Sequence, residues 1–196
     1  MRTKVVLVLA AIFMLLVGGT AVASNMGFKI TIPLKQGWSN YVSLPYFNSY
    51  TNAASLFNDV GPTCVQVSRW NNAIFNFDSW TGLRGTDFNV TPGEALIIKV
   101  SSDTNWIVVG SHNPNLALTL TQGYSNYVSI PYNTTANTAG TLFNQIPGCV
   151  QVSRWNNSTF NFDSWTGLRG TDFNLTPGEG LIVKVSATTT WTPAHY

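Results

Sequence analysis

CVQVSRWNNAIFNFDSWTGLRGTDFNVTPGEALIIKVS, from Cys64 to Ser101, returns 85 residues later as CVQVSRWNNSTFNFDSWTGLRGTDFNLTPGEGLIVKVS, from Cys149 to Ser186. The copies differ only at Ala73/Ser158, Ile74/Thr159, Val90/Leu175, Ala95/Gly180 and Ile98/Val183. Upstream, Gln36 to Tyr46 (QGWSNYVSLPY) matches Gln122 to Tyr132 (QGYSNYVSIPY) at an offset of 86, so the second copy has lost one residue between the counterparts of Asn58 and Cys64. An internal duplication of this kind settles the organisation before any motif is read. The expected units are 24–110 and 111–196.

The pattern inside each unit is that of strands. Phe28 to Ile32 and Leu116 to Leu120 alternate apolar with polar, and Tyr41 to Leu44, Val65 to Ser68, Phe75 to Phe77 and Leu96 to Val100 are short β-favouring runs. Asn71-Asn72, Thr81-Gly82, Arg84-Gly85 and Pro92-Gly93 punctuate them as turns. One helix per unit is expected, over Asn52 to Asp59 and Thr138 to Gln145; at two turns it depends on packing rather than on propensity. The predicted fold is all-β, with two tandem, similar β-sandwich or barrel-like domains, each carrying one short helix. Units of about 86 residues bury only ~60–65% of their unfolded surface and are marginal alone. The two are therefore expected to pack together.

Composition narrows the function. Of 196 residues only 9% are charged, with 10 Lys+Arg against 8 Asp+Glu, where a soluble domain usually has ~25%. No basic run offers a grip on a phosphate backbone, so nucleic acid is not an expected partner. With 44% apolar residues and 13% aromatics the chain can bury a core. Arg2 and Lys4, the apolar run Val5 to Val17 and the Ala21-Val22-Ala23 pattern have the layout of a cleavable secretion signal over residues 1–23. The alternative is a retained anchor, since Val5 to Ala23 just reaches membrane-crossing length. Cleavage would remove two cations, leave no net charge and no membrane segment, and favour self-association.

The opening Gly37-Trp38-Ser39-Asn40-Tyr41-Val42-Ser43-Leu44-Pro45, its copy Gly123 to Pro131, and the late turns Pro92-Gly93-Glu94-Ala95 and Pro177-Gly178-Glu179-Gly180 resemble a β-domain repeat of secreted and cell-surface proteins in bacteria and archaea. Ser39 interrupts that family's opening, and Leu96 or Leu181 stands where its aromatic follows the late turn. The resemblance implies a surface location and a non-catalytic building block, and it brings no catalytic residues with it.

The carboxylates Asp78, Asp87 and Glu94, repeated as Asp163, Asp172 and Glu179, could be read as a glycosidase pair or, over Asp78 to Asp87, as a calcium loop. They read more simply as turn caps, with the glutamate paired to Arg69 or Arg84. His112 and His195 fall at non-equivalent places and form no repeated triad or zinc spacing. No catalytic residue, metal site or cofactor is expected.

Aromatic rings offer a binding case. Trp80, Trp165, Trp38 and Tyr124 could present a stacking platform for sugars, against the alternative that tryptophans fill the cores. Trp70 and Trp155 read as core. Cys64 and Cys149 sit at equivalent positions, and export would permit a disulfide between them; bonds between subunits and buried thiols are the alternatives. Finally, if Leu116 to Leu120 closes the first unit, the second has no closing strand. The strand carrying Phe28, Ile30, Ile32 and Leu34 could then complete the next subunit, giving a head-to-tail homopolymer. Two functions follow as expectations. One is a secreted, non-enzymatic structural protein of a microbial surface, self-assembling into a filament by strand addition. The other is a bivalent module that binds surface polysaccharide.

Overall fold

The computed structural model describes residues 27–194. The expected leader and its cleavage site lie outside them. Twelve strands and two helices occur among the described residues, in two copies of one plan. In the first, β1 (Phe28–Leu34) pairs antiparallel with β6 (Thr104–Gly110), while β2 (Asn40–Ser43), β5 (Ala95–Val100), β3 (Cys64–Asn71) and β4 (Asn76–Trp80) form a four-stranded antiparallel sheet in the order β2-β5-β3-β4. In the second, β7 (Leu118–Leu120) pairs with β12 (Thr189–Trp191), and β8 (Asn126–Ser129), β11 (Gly180–Val185), β9 (Cys149–Asn156) and β10 (Asn161–Trp165) repeat the sheet. The architecture is all-β with two similar halves.

The alternation in β1 points Ile30, Ile32 and Leu34 inward. They meet Leu56, Val67, Leu96, Ile98, Trp106 and Val108 in the first core; Leu120, Leu142, Val152, Leu181, Val183 and Trp191 make the second. The helices α1 (Ala53–Val60) and α2 (Ala139–Gln145) start on capping boxes, Asn52 with Ser55 and Thr138 with Thr141. Asp87 adds a carboxylate that accepts from the Ala54 N–H at 2.8 Å, and Asp172 does the same for Gly140 at 2.6 Å. Negative charge at this end of a short helix offsets its orphan donors and dipole. The residue missing from the second copy falls in the turn after the helix, where Gly61-Pro62-Thr63 becomes Pro147-Gly148.

The two halves are stapled by contacts that occur twice, related by a pseudo-twofold axis. The Ser43 N–H donates to the Gly178 carbonyl and the Ser129 N–H to that of Gly93, both at 2.8 Å. The Ser43 hydroxyl donates to the Glu179 carbonyl at 2.5 Å and accepts from the Ile130 N–H at 3.2 Å; Ser129 donates to the Glu94 carbonyl at 2.8 Å and accepts from Leu44 at 3.2 Å. Each late Pro-Gly turn thus crosses to the other half. Gly93 (φ +84°) lies against Leu118, and Gly178 (φ +86°) against Ile32. Positive φ and the close approach both require glycine there.

Two expectations need correction. The second half does have a closing strand, because β12 returns after Ser186 and anchors Trp191 in its core. β1 is itself paired over all seven residues with β6, so its ladder on that side and its apolar face are both used within its own half. The cysteines are free thiols, each buried in a different core. Equivalent residues meet under a twofold only when they lie on the axis, and the start of β3 and of β9 does not. Burial pushes both thiols up to about 11.

Candidate functional site

The face of each four-stranded sheet that is turned away from its core is turned toward the other half. On β3, Val67 points into the core, so Gln66, Ser68 and Trp70 point the other way; on β5, Leu96 and Ile98 point in, and Ile97 and Lys99 out. Tyr41 of β2 and Phe77 of β4 share that outer face. The second half contributes Tyr127, Gln151, Ser153, Trp155, Phe162, Ile182 and Lys184 in the same roles. Between the two sheets lies an open cavity of about 500 Å³ straddling the axis.

One wall of it is a ladder of four rings taken alternately from the two halves. Trp70 stacks on Tyr127 (centroids 5.8 Å, planes 16° apart), Tyr127 on Tyr41 (6.0 Å, 20°) and Tyr41 on Trp155 (6.1 Å, 21°). Such separations belong to slipped stacks, in which each ring leaves part of its face uncovered. Phe77 and Phe162 stand edge-on to Trp70 and Trp155, each at 5.0 Å. The indole N–H groups donate to Asn72 Oδ1 and Asn157 Oδ1 at 2.9 and 3.0 Å. The same amides bind the backbone of Ser125 and Ser39 in the opposite half, so ladder and interface are fixed by one pair of side chains. The Tyr41 and Tyr127 phenols hydrogen-bond to each other, and burial raises both above the usual phenol range.

The remaining lining is Ile97, Ile182 and neutral hydrogen-bonding side chains, together with two lysines. The Gln66 amide donates to the hydroxyls of Ser68 (2.7 Å) and Ser79 (3.2 Å), which share a further bond at 2.8 Å. Gln151, Ser153 and Ser164 repeat the arrangement at the same distances. Ser68 and Ser153 are buried polar groups on an otherwise apolar floor with Ile97 and Ile182. Among the described residues no carboxylate lines this cavity.

The carboxylates are engaged elsewhere. Asp78 and Asp163 pair with Arg69 Nε and Arg154 Nε at 3.0 and 3.1 Å, and Asp87 and Asp172 cap the helices. The arginine partner is therefore aspartate rather than the expected glutamate, although Glu179 Oε1 does reach to 4.0 Å from Arg154. Glu94 is pushed up to about 7 by burial, with Arg69 pulling the other way; Glu179 is raised for the same reason. Among the described residues no three histidine, cysteine, aspartate or glutamate side chains gather where they could hold a metal ion, and no helix is long and apolar enough to cross a membrane.

The rings expected to form a platform do not come together. Trp80 and Trp165 are half-buried against the two cores. Trp38 lines a separate groove beside Arg154, and Tyr124 is exposed in the opening turn of the second half. Trp70 and Trp155, read as core, are instead half-buried in the axial cavity. The signal was in β3, where Gln66, Ser68 and Trp70 alternate against Val67; a second face that needs no water is legible only when the opposing sheet is known.

Compared with protein-family models, with curated proteins and with solved structures, the chain matches none of them.

Proposed function

We propose that the chain is an exported, non-enzymatic binding protein of a microbial surface that holds one oligosaccharide in the axial cavity. The observation that carries this reading is the slipped ladder Trp70–Tyr127–Tyr41–Trp155 set beside the buried Ser68 and Ser153 and the half-buried Gln66 and Gln151. Sugar rings present apolar C–H faces to aromatic planes and hydroxyls to amides and alcohols, and a concave, mostly apolar site with a few fixed polar groups suits such a ligand. Export is supported by the leader pattern at residues 1–23. One shared site takes the place of the two expected, so the chain binds with a stoichiometry of one and not with two-site avidity. Filament formation by strand donation has lost its main support, because β1 is paired within its own half.

Tryptophan fluorescence titration against a panel of oligosaccharides tests the reading. The expected result is a saturable change with one site per chain, weakened about five- to hundredfold in Trp70→Ala and in Trp155→Ala, since stacked rings contribute ~1–3 kcal/mol by analogy with base stacking. Binding that survives both substitutions, or a panel without a binder, would overturn it.

A further inference from the structure

We infer that the ligand is an anionic oligosaccharide, carboxylated or sulfated, held by Lys99 and Lys184, one from each half of the cavity lining; this rests on the carbohydrate reading above. Among the described residues the two lysines are the only charged groups in the lining, one from each half and at equivalent places on β5 and β11. Both are exposed, and among the described residues neither forms an ion pair.

The accounting of negative charge makes this more than a solvated pair of side chains. The chain has eight acidic residues, and every one is committed away from the cavity. Asp78 and Asp163 pair with arginines, and Asp103 pairs with Lys35. Asp87 and Asp172 cap helices, and Asp59 accepts from Tyr50 and Trp106. Glu94 and Glu179 are half-buried near Arg69 and Arg154, lining other grooves. In a chain with only 9% charged residues, two cations without an ion-pair partner in the lining of one aromatic cleft leave a positive potential for a ligand to neutralise, focused by the low-dielectric walls. A neutral sugar would use the ladder and leave both ammonium groups unanswered. Lysine is a point charge with rotatable donors and accepts carboxylate or sulfate alike.

The test compares matched pairs on the whole protein: oligogalacturonates against their methyl esters, and a sulfated oligosaccharide against its desulfated form. The charged member of a pair is expected to bind roughly tenfold tighter, the sum of two exposed ion pairs. That advantage, read as the ratio of the two affinities, should disappear in the Lys99→Gln/Lys184→Gln double variant and at high salt. Which pair shows the effect tells carboxylate from sulfate. Equal binding of charged and neutral members, still lost in Trp70→Ala, would overturn the inference and leave the carbohydrate reading standing. Absence of binding by every member would overturn both.

Discussion

Ala95 and Gly180 occupy the same place in the two repeats and face each other across the axis, where a methyl on Gly180 would sit 2.9 Å from that of Ala95 and 3.0 Å from the Val42 carbonyl. The gap holds one methyl group and not two, which explains one of the five differences between the copies. Gly180→Ala is expected to destabilise the protein by ~1–3 kcal/mol, the usual cost of overpacking. Combining it with Ala95→Gly moves the methyl across the axis and should recover at least half of that loss. Urea unfolding of the two single variants and the double variant measures both effects; additive losses would contradict the one-methyl account.

Ser43 and Ser129 offer a second test of the interface. Each hydroxyl gives its proton to a carbonyl of the other half and accepts from a buried N–H. Replacing either with alanine strands that N–H and should cost ~1–3 kcal/mol. The two serines lie in one network, so the double variant should cost measurably less or more than the sum, and chemical denaturation curves report the difference.

The pH dependence follows from Glu94. Its folded value of about 7 lies above the ordinary 4.5, so the folded state keeps a proton that the unfolded chain releases. Stability from this group is complete below about pH 4.5 and is lost as pH rises to about 7. Glu179 acts in the same direction. Unfolding free energy is therefore expected to fall between about pH 4.5 and 7, by as much as ~3 kcal/mol from Glu94. Glu94→Gln should flatten the slope, and an unaltered slope would remove Glu94 as its source.

Both cysteines should behave as buried thiols. Ellman's reagent is expected to leave the native protein unlabelled and to react with two thiols per chain in denaturant, with the intact mass unchanged by reductant beforehand. A mass gain of two hydrogens on reduction would reinstate a disulfide.

Much of the fold could be read from residues whose environment is local. The alternation of Ile30, Ile32 and Leu34 gave the inward face of β1, and Asn52 and Thr138 gave the helix starts within a residue. What could not be read depends on where the axis passes. The duplication announces equivalent pairs without saying which of them meet: Ser43 accepts from Ile130 beside Ser129, as Ser129 accepts from Leu44 beside Ser43, and Tyr41 stacks on Tyr127, while Cys64 and Cys149 are held in separate cores. The same uncertainty hid the cavity, since Trp70 pointing away from Val67 reads equally as a surface ring or as half of a wall. The closing strand of the second half was obscured for another reason. Thr189 to Trp191 has one large apolar residue, and only the burial of Trp191 distinguishes it from a loop.

Because the ladder alternates rings from the two repeats, the site is the property of neither. A single repeat would carry one tryptophan and one tyrosine with nothing between them, and could complete the wall only by meeting a second copy. Joined in one polypeptide, the same encounter becomes intramolecular, so the site persists at any dilution. Covalent linkage also frees the two halves to diverge, as the methyl at residue 95 and its absence at residue 180 already record: a symmetric dimer must accept each substitution twice, and this chain needs to accept it only once.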